Sequence, residues 1–90
     1  ELPMSLTLEI DALISEIAEV KRVIGWSAVT ELFRSKGYWI FIVHGDGIHA
    51  PSRLFATTEE ERAFVATALS HMSESARNRS VDALSYASGA

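Results

Sequence analysis

Ninety residues with a net charge of −4 and a pI near 5.2 describe one small acidic domain, and that charge argues against general binding to nucleic acid or to anionic membranes. The absence of cysteine excludes disulfides and thiolate metal sites, and no apolar run reaches the roughly 18–20 residues that a bilayer span requires. At this length about 60–65% of the unfolded surface can be buried, so the core needs a sheet with a helix to cover it.

The charge is unevenly spread. Residues 1–19 carry five acids and no base, residues 20–56 sum to +3, and residues 57–90 sum to −2. The middle block is the only basic part of the chain.

Taken in order, Leu2 to Ile10 alternates, with Leu6, Leu8 and Ile10 on one face and Thr7 and Glu9 on the other, which predicts a half-buried strand. Asp11-Ala12 reads as a turn. Leu13 to Ile24 admits two readings: Leu13, Ile17, Val20 and Ile24 recur at helical spacing, yet the same residues fit two short strands around Ala18-Glu19. Gly25-Trp26-Ser27 breaks the pattern and predicts a helical turn that passes into a strand near residues 29–34. Ser35-Lys36-Gly37 is a turn with glycine where a positive φ is wanted.

Tyr38 to Val43 is apolar, aromatic or β-branched throughout, so both faces read as buried and the strand as central. His44-Gly-Asp-Gly47 makes a tight turn, and the return run Ile48 to Phe55 completes a hairpin stopped by Pro51, which donates nothing to a ladder. Thr57-Thr58-Glu-Glu-Glu61 opens a helix, read with Thr58 as N-cap and Glu61 reaching back in a capping box. Phe64, Val65, Ala68, Leu69 and Met72 form its apolar face, and Glu60, Arg62, Thr67 and Ser70 point away. The helix is expected to run to Arg77. Residues 1–76 are thus read as the domain and residues 77–90 as a flexible tail.

Trp26-Ser-x-Val29-x-x-Leu32, Gly37-Tyr38 with its strand, Ala50-Pro51-x-Arg53-x-Phe55, then the Glu-rich helix start and Phe64, come in an order that resembles the YcxB-like family. The resemblance covers about Ser5 to Met72, and the chain departs from the family pattern at Ala12 and Ala50. It implies a pleckstrin-homology-like α+β fold, a bent antiparallel sheet capped by one C-terminal helix, and it tips residues 13–24 toward strands. It also implies a bacterial module on the cytoplasmic side of a membrane-anchored protein. The start at Glu1 is read as that of a piece excised from such a protein, and no secretory signal is read before the first strand.

Each polar motif has a structural and a functional reading. His44, Asp46 and His49 straddle the hairpin, with His71 as a fourth candidate ligand, but no recognised zinc spacing accompanies them; solvated turn residues are the simpler reading. Gly45-x-Gly47 is too far from a helix start to cradle a phosphate. Lys21, Arg22, Arg34, Lys36 and Arg53 are the candidate binding residues, the first four as a basic patch if their strands are neighbours and Arg53 for its forked donors. Trp26, Tyr38, Pro51, Phe55 and Phe64 are read as structural.

The first hairpin turn, where pleckstrin-homology-like domains hold lipid phosphates on cations, carries Asp11 instead. Ser27, Ser52 and the histidines form no nucleophile elbow. The expected function is therefore a non-catalytic interaction module with no cofactor and a protein or membrane-proximal partner, a peptide adding as a strand at an edge beside Pro51 or the helix. A metal-binding or hydrolytic domain and a weakly self-associating structural domain are the rivals.

Overall fold

Tight two-residue loops dictate most of the strand order in the computed structural model, which describes residues 4–89. Ala18-Glu19, Lys36-Gly37 and His44-Gly45 each place both residues at positive φ, the turn whose twist matches that of flanking antiparallel strands. The first joins β2 (Ala12–Ile17) to β3 (Val20–Gly25), the second β4 (Val29–Ser35) to β5 (Tyr38–Val43), and the third β5 to β6 (Asp46–Pro51). With β1 (Met4–Leu8), the result is two three-stranded antiparallel sheets, ordered β1-β2-β3 and β4-β5-β6. Residues 13–24 are thus two strands, as the resemblance implied. The expected beginning of the first strand at Leu2 lies outside the described residues.

Three helices follow, α1 (Thr58–His71), α2 (Glu74–Arg79) and α3 (Val81–Ala87), so the architecture is α+β but the single C-terminal helix is corrected to three. Met72 adopts an extended conformation and ends α1, and the Ser73 hydroxyl accepts from the Ala76 N–H to start α2. Arg77 donates to the carbonyls of Leu69 and Met72 at 3.1 and 3.2 Å, closing the end of α1 rather than extending it. The expected tail is helical through residue 87 and supplies buried Ser80 and Ala83.

One core joins both sheets and all three helices: Leu13 and Ile24 from the first sheet, Trp39 and Phe41 from the second, Val65, Leu69, Ala76 and Ala83 from the helices. β5 is central in its sheet, but only its Trp39, Phe41 and Val43 face is buried. Ile40 and Ile42 are half-buried and Tyr38 is exposed, because the helices cover one face of the sheet. Ile10, expected in line with Leu6 and Leu8, instead sits in the β1–β2 loop and is 84% exposed.

The phase of α1 is one residue earlier than expected. Thr57 is the N-cap, accepting from the Glu60 N–H at 3.0 Å, while Glu60 reaches back to the Ala56 N–H. That shift releases Glu61 from capping and turns it inward.

Candidate functional site

Strand edges are the natural places for a small sheet protein to meet a partner, because they present unpaired backbone groups. Two three-stranded sheets have four edges: β1, β3, β4 and β6. The β4 edge is covered. α2 and α3 pack on it, and the buried Ser80 hydroxyl accepts from the Leu32 N–H at 2.8 Å while donating to the Ala76 carbonyl at 2.8 Å. A backbone donor at the edge is thereby satisfied from outside the sheet.

The β3 edge is treated in the opposite way. Among the described residues β3 pairs with β2 alone, and Val20, Lys21, Arg22 and Val23 are all exposed. The two valines are 63% and 64% exposed, unusual for β-branched residues in a strand. In register, Val20 lies opposite Ile17, Lys21 opposite Glu16, Arg22 opposite Ser15 and Val23 opposite Ile14. Val20 and Arg22 share one face of the sheet, Lys21 and Val23 the other. Each face of the edge therefore shows one apolar and one cationic side chain.

Arg34 lies on β4 and Lys36 in the β4–β5 turn, so the predicted four-cation patch is divided. Arg34 and Lys36 line a groove of about 470 Å³ with Trp39, Asp82, Ser85 and Tyr86, and neither Lys21 nor Arg22 contributes to it. The Arg34 guanidinium is already engaged: it lies 5.0 Å from the Tyr86 ring centre, 5.5 Å from that of Trp39, and 3.8 Å from a Glu61 carboxylate oxygen. Glu61, only 8% exposed, accepts from the Trp39 indole at 2.7 Å and from the Ser52 hydroxyl at 3.2 Å. Arg62, expected to face solvent, donates to the Tyr86 carbonyl at 3.0 Å and stacks on its ring. Burial, and then the neighbouring Glu61 carboxylate, hold the Tyr86 hydroxyl above the ordinary tyrosine range. This cluster is a structural clasp that ties α3 to the second sheet.

The remaining predicted residues divide cleanly. Trp26 is buried and donates its indole N–H to the Glu9 carbonyl at 2.7 Å. Phe55 and Phe64 pack with ring centres 4.9 Å apart and planes tilted by 51° at the edge of the core, and Pro51 is buried where β6 ends. Tyr38 packs edge-on against His49. Arg53 lies in a 3-10 turn, Ser52–Leu54, between β6 and α1.

The rival metal set does not assemble. His44 occupies the β5–β6 turn, His49 packs on Tyr38, and His71 lies 5.3 Å from the Trp26 ring centre. Among the described residues no three His, Asp or Glu side chains converge as a metal site would require. No described helix is long and apolar enough to cross a membrane.

Sequence reasoning missed Val20 and Val23 as surface residues and Glu61, Ser80 and Tyr86 as tertiary partners. The signal for Val20–Val23 was present in the alignment of Ile14-Ser-Glu-Ile17 with Val20-Lys-Arg-Val23 once the turn was placed. For Glu61 the signal was Trp39, since a buried indole requires an acceptor. Compared with known proteins, the chain matches no family model, no curated protein and no solved structure.

Proposed function

We propose that this domain is a non-catalytic interaction module of the YcxB-like type that recognises a protein segment at an open sheet edge. The observation that carries the reading is the contrast between two edges: β4 is closed by α2, α3 and Ser80, whereas among the described residues the outer side of β3 has no strand partner and Val20 to Val23 are all exposed. An edge strand presents unpaired backbone groups, and at β3 these lie among exposed β-branched residues with Lys21 and Arg22 as charges that discourage indiscriminate pairing. Strand addition uses such an edge directly, with backbone hydrogen bonds for affinity and side chains for selection.

Glu61, Ser52, Ser73, Ser80 and Thr57 are each spent on a hydrogen bond that holds the fold. Selection of random peptides on the immobilised 90-residue domain tests the reading, followed by amide chemical shifts of the labelled protein with each enriched peptide. Enriched peptides are expected to move the β3 amides. A selection with no enrichment above background would reject the module.

The resemblance further supports placing the domain on the cytoplasmic side of a membrane-anchored bacterial protein. The coding sequence upstream of Glu1 tests this part, with two apolar segments of about 20 residues expected. A start codon directly before the domain would exclude the anchor and leave the edge untouched.

A further inference from the structure

The β3 edge already has a partner on its inner side, and that partner specifies a complement. β2 offers Ile14-Ser15-Glu16-Ile17 to Val23-Arg22-Lys21-Val20, so apolar faces apolar at both ends and polar or acidic faces basic between them. Cross-strand pairs of this kind are what stabilise a sheet, and like charges directly opposite destabilise it.

We infer that the outer side of β3 takes an extended acidic peptide with the pattern apolar–acidic–acidic–apolar, added as a fourth strand to the first sheet. This rests on the interaction-module reading and names its ligand class. Val20-Lys21-Arg22-Val23 is apolar at both ends and basic in the middle, so its complement reads the same in either direction. Parallel and antiparallel addition therefore satisfy the same side chains. An acid opposite Lys21 and another opposite Arg22 lie on opposite faces of the sheet, each beside an apolar residue opposite Val23 or Val20.

A second copy of the chain is disfavoured at the same edge. Two β3 strands paired antiparallel in this register place Lys21 against Arg22 of the other copy twice, with four cations along one seam. β1, the other edge of this sheet, carries no acid from Met4 to Leu8 and does not supply the complement either. The occupant is a separate acidic segment.

The test uses the full 90-residue domain and two short capped peptides with polar flanks, one carrying Ile-Glu-Glu-Ile and the other Ile-Lys-Lys-Ile. The acidic peptide is expected to bind, to shift the amides of residues 20–25, and to weaken with added salt. The double variant Lys21→Glu/Arg22→Glu should lose about tenfold in affinity for it, since two cross-strand pairs change from attraction to repulsion. The same variant should gain affinity for the basic peptide, which also shows that it folds.

Equal binding of both peptides, or shifts on β1 or β6 instead, would overturn the charge-patterned β3 site while leaving the module. Failure of both peptides to bind would overturn it as well. The random-peptide selection then separates the cases: another enriched motif preserves the module, and no enrichment ends both.

Discussion

At the scale of single residues, Glu61 is a buried charge that ties α1 to the second sheet. Its carboxylate is buried, and the Trp39 indole and the Ser52 hydroxyl both donate to it. Truncation to Ala would leave the indole N–H of a fully buried tryptophan without an acceptor. Orphaning a buried donor costs about 1–3 kcal/mol, so Glu61→Ala should lower the urea midpoint by that equivalent with the slope unchanged. Glu61→Gln retains an acceptor and should recover most of the loss. If both variants unfolded like the parent, Glu61 would not be a keystone.

Tyr86 adds a pH dependence with a definite sign. Unfolded tyrosine ionises near pH 10, whereas burial and the Glu61 carboxylate keep the folded hydroxyl protonated to higher pH. Above about pH 10 the unfolded chain releases a proton that the folded one still retains, so the contribution is intact below that pH and is lost as pH rises through the folded value. Wild type should therefore lose more stability than Tyr86→Phe between about pH 9 and 11, with urea midpoints compared at each pH. A constant difference between the two would show that Tyr86 titrates alike in both states.

At the scale of elements, the hairpins explain what could be read in advance. Gly37 and Gly45 announced their turns because glycine reaches positive φ without penalty, and the structure uses both at that position. The β2–β3 turn gave no such cue. Ala18 and Glu19 both sit at positive φ, +49° and +70°, where a side chain costs roughly 1–2 kcal/mol per residue, so periodicity alone left helix and strands equal.

The start of α1 was legible to within one residue, since two adjacent threonines precede three glutamates and either register makes a capping box. The buried Trp39 indole, 22 residues away, favours the register that turns Glu61 inward. Replacing Ala18-Glu19 with Asn-Gly should stabilise the domain by about 1 kcal/mol, raising the melting temperature by roughly 4–8 °C. A neutral or lower melting temperature would mean that the hairpin is not held in this turn. The same substitution should leave the β3 edge able to bind, since it changes neither Val20 nor its successors.

At the scale of the whole molecule, α2 and α3 close the β4 edge of the second sheet. Sequence reading stopped the domain at residue 76 because Asn, Arg, Ser and Ala dominate beyond it, a composition that propensity cannot tell from a tail. What organises that stretch is tertiary: Ser80 on the Leu32 N–H, Ala83 in the core, Tyr86 between Arg34 and Arg62 and against Trp39.

A chain cut after Ala76 loses every one of these. It exposes the Leu32 donor to water and uncovers the aromatic end of β5, against a total stability of only about 5–15 kcal/mol for domains of this kind. The truncated protein should lose its cooperative urea transition and elute as concentration-dependent oligomers, because β4 becomes a pairing edge like β3 but with the core of the second sheet behind it. Ser80→Ala in the full chain isolates the single hydrogen bond and should cost about 1–3 kcal/mol without oligomers, since α2 and α3 still cover the strand. A truncated chain that stayed monomeric and unfolded at the parental midpoint would reduce α2 and α3 to ornament, and with them the contrast between a closed β4 and an open β3 from which the partner's position is drawn.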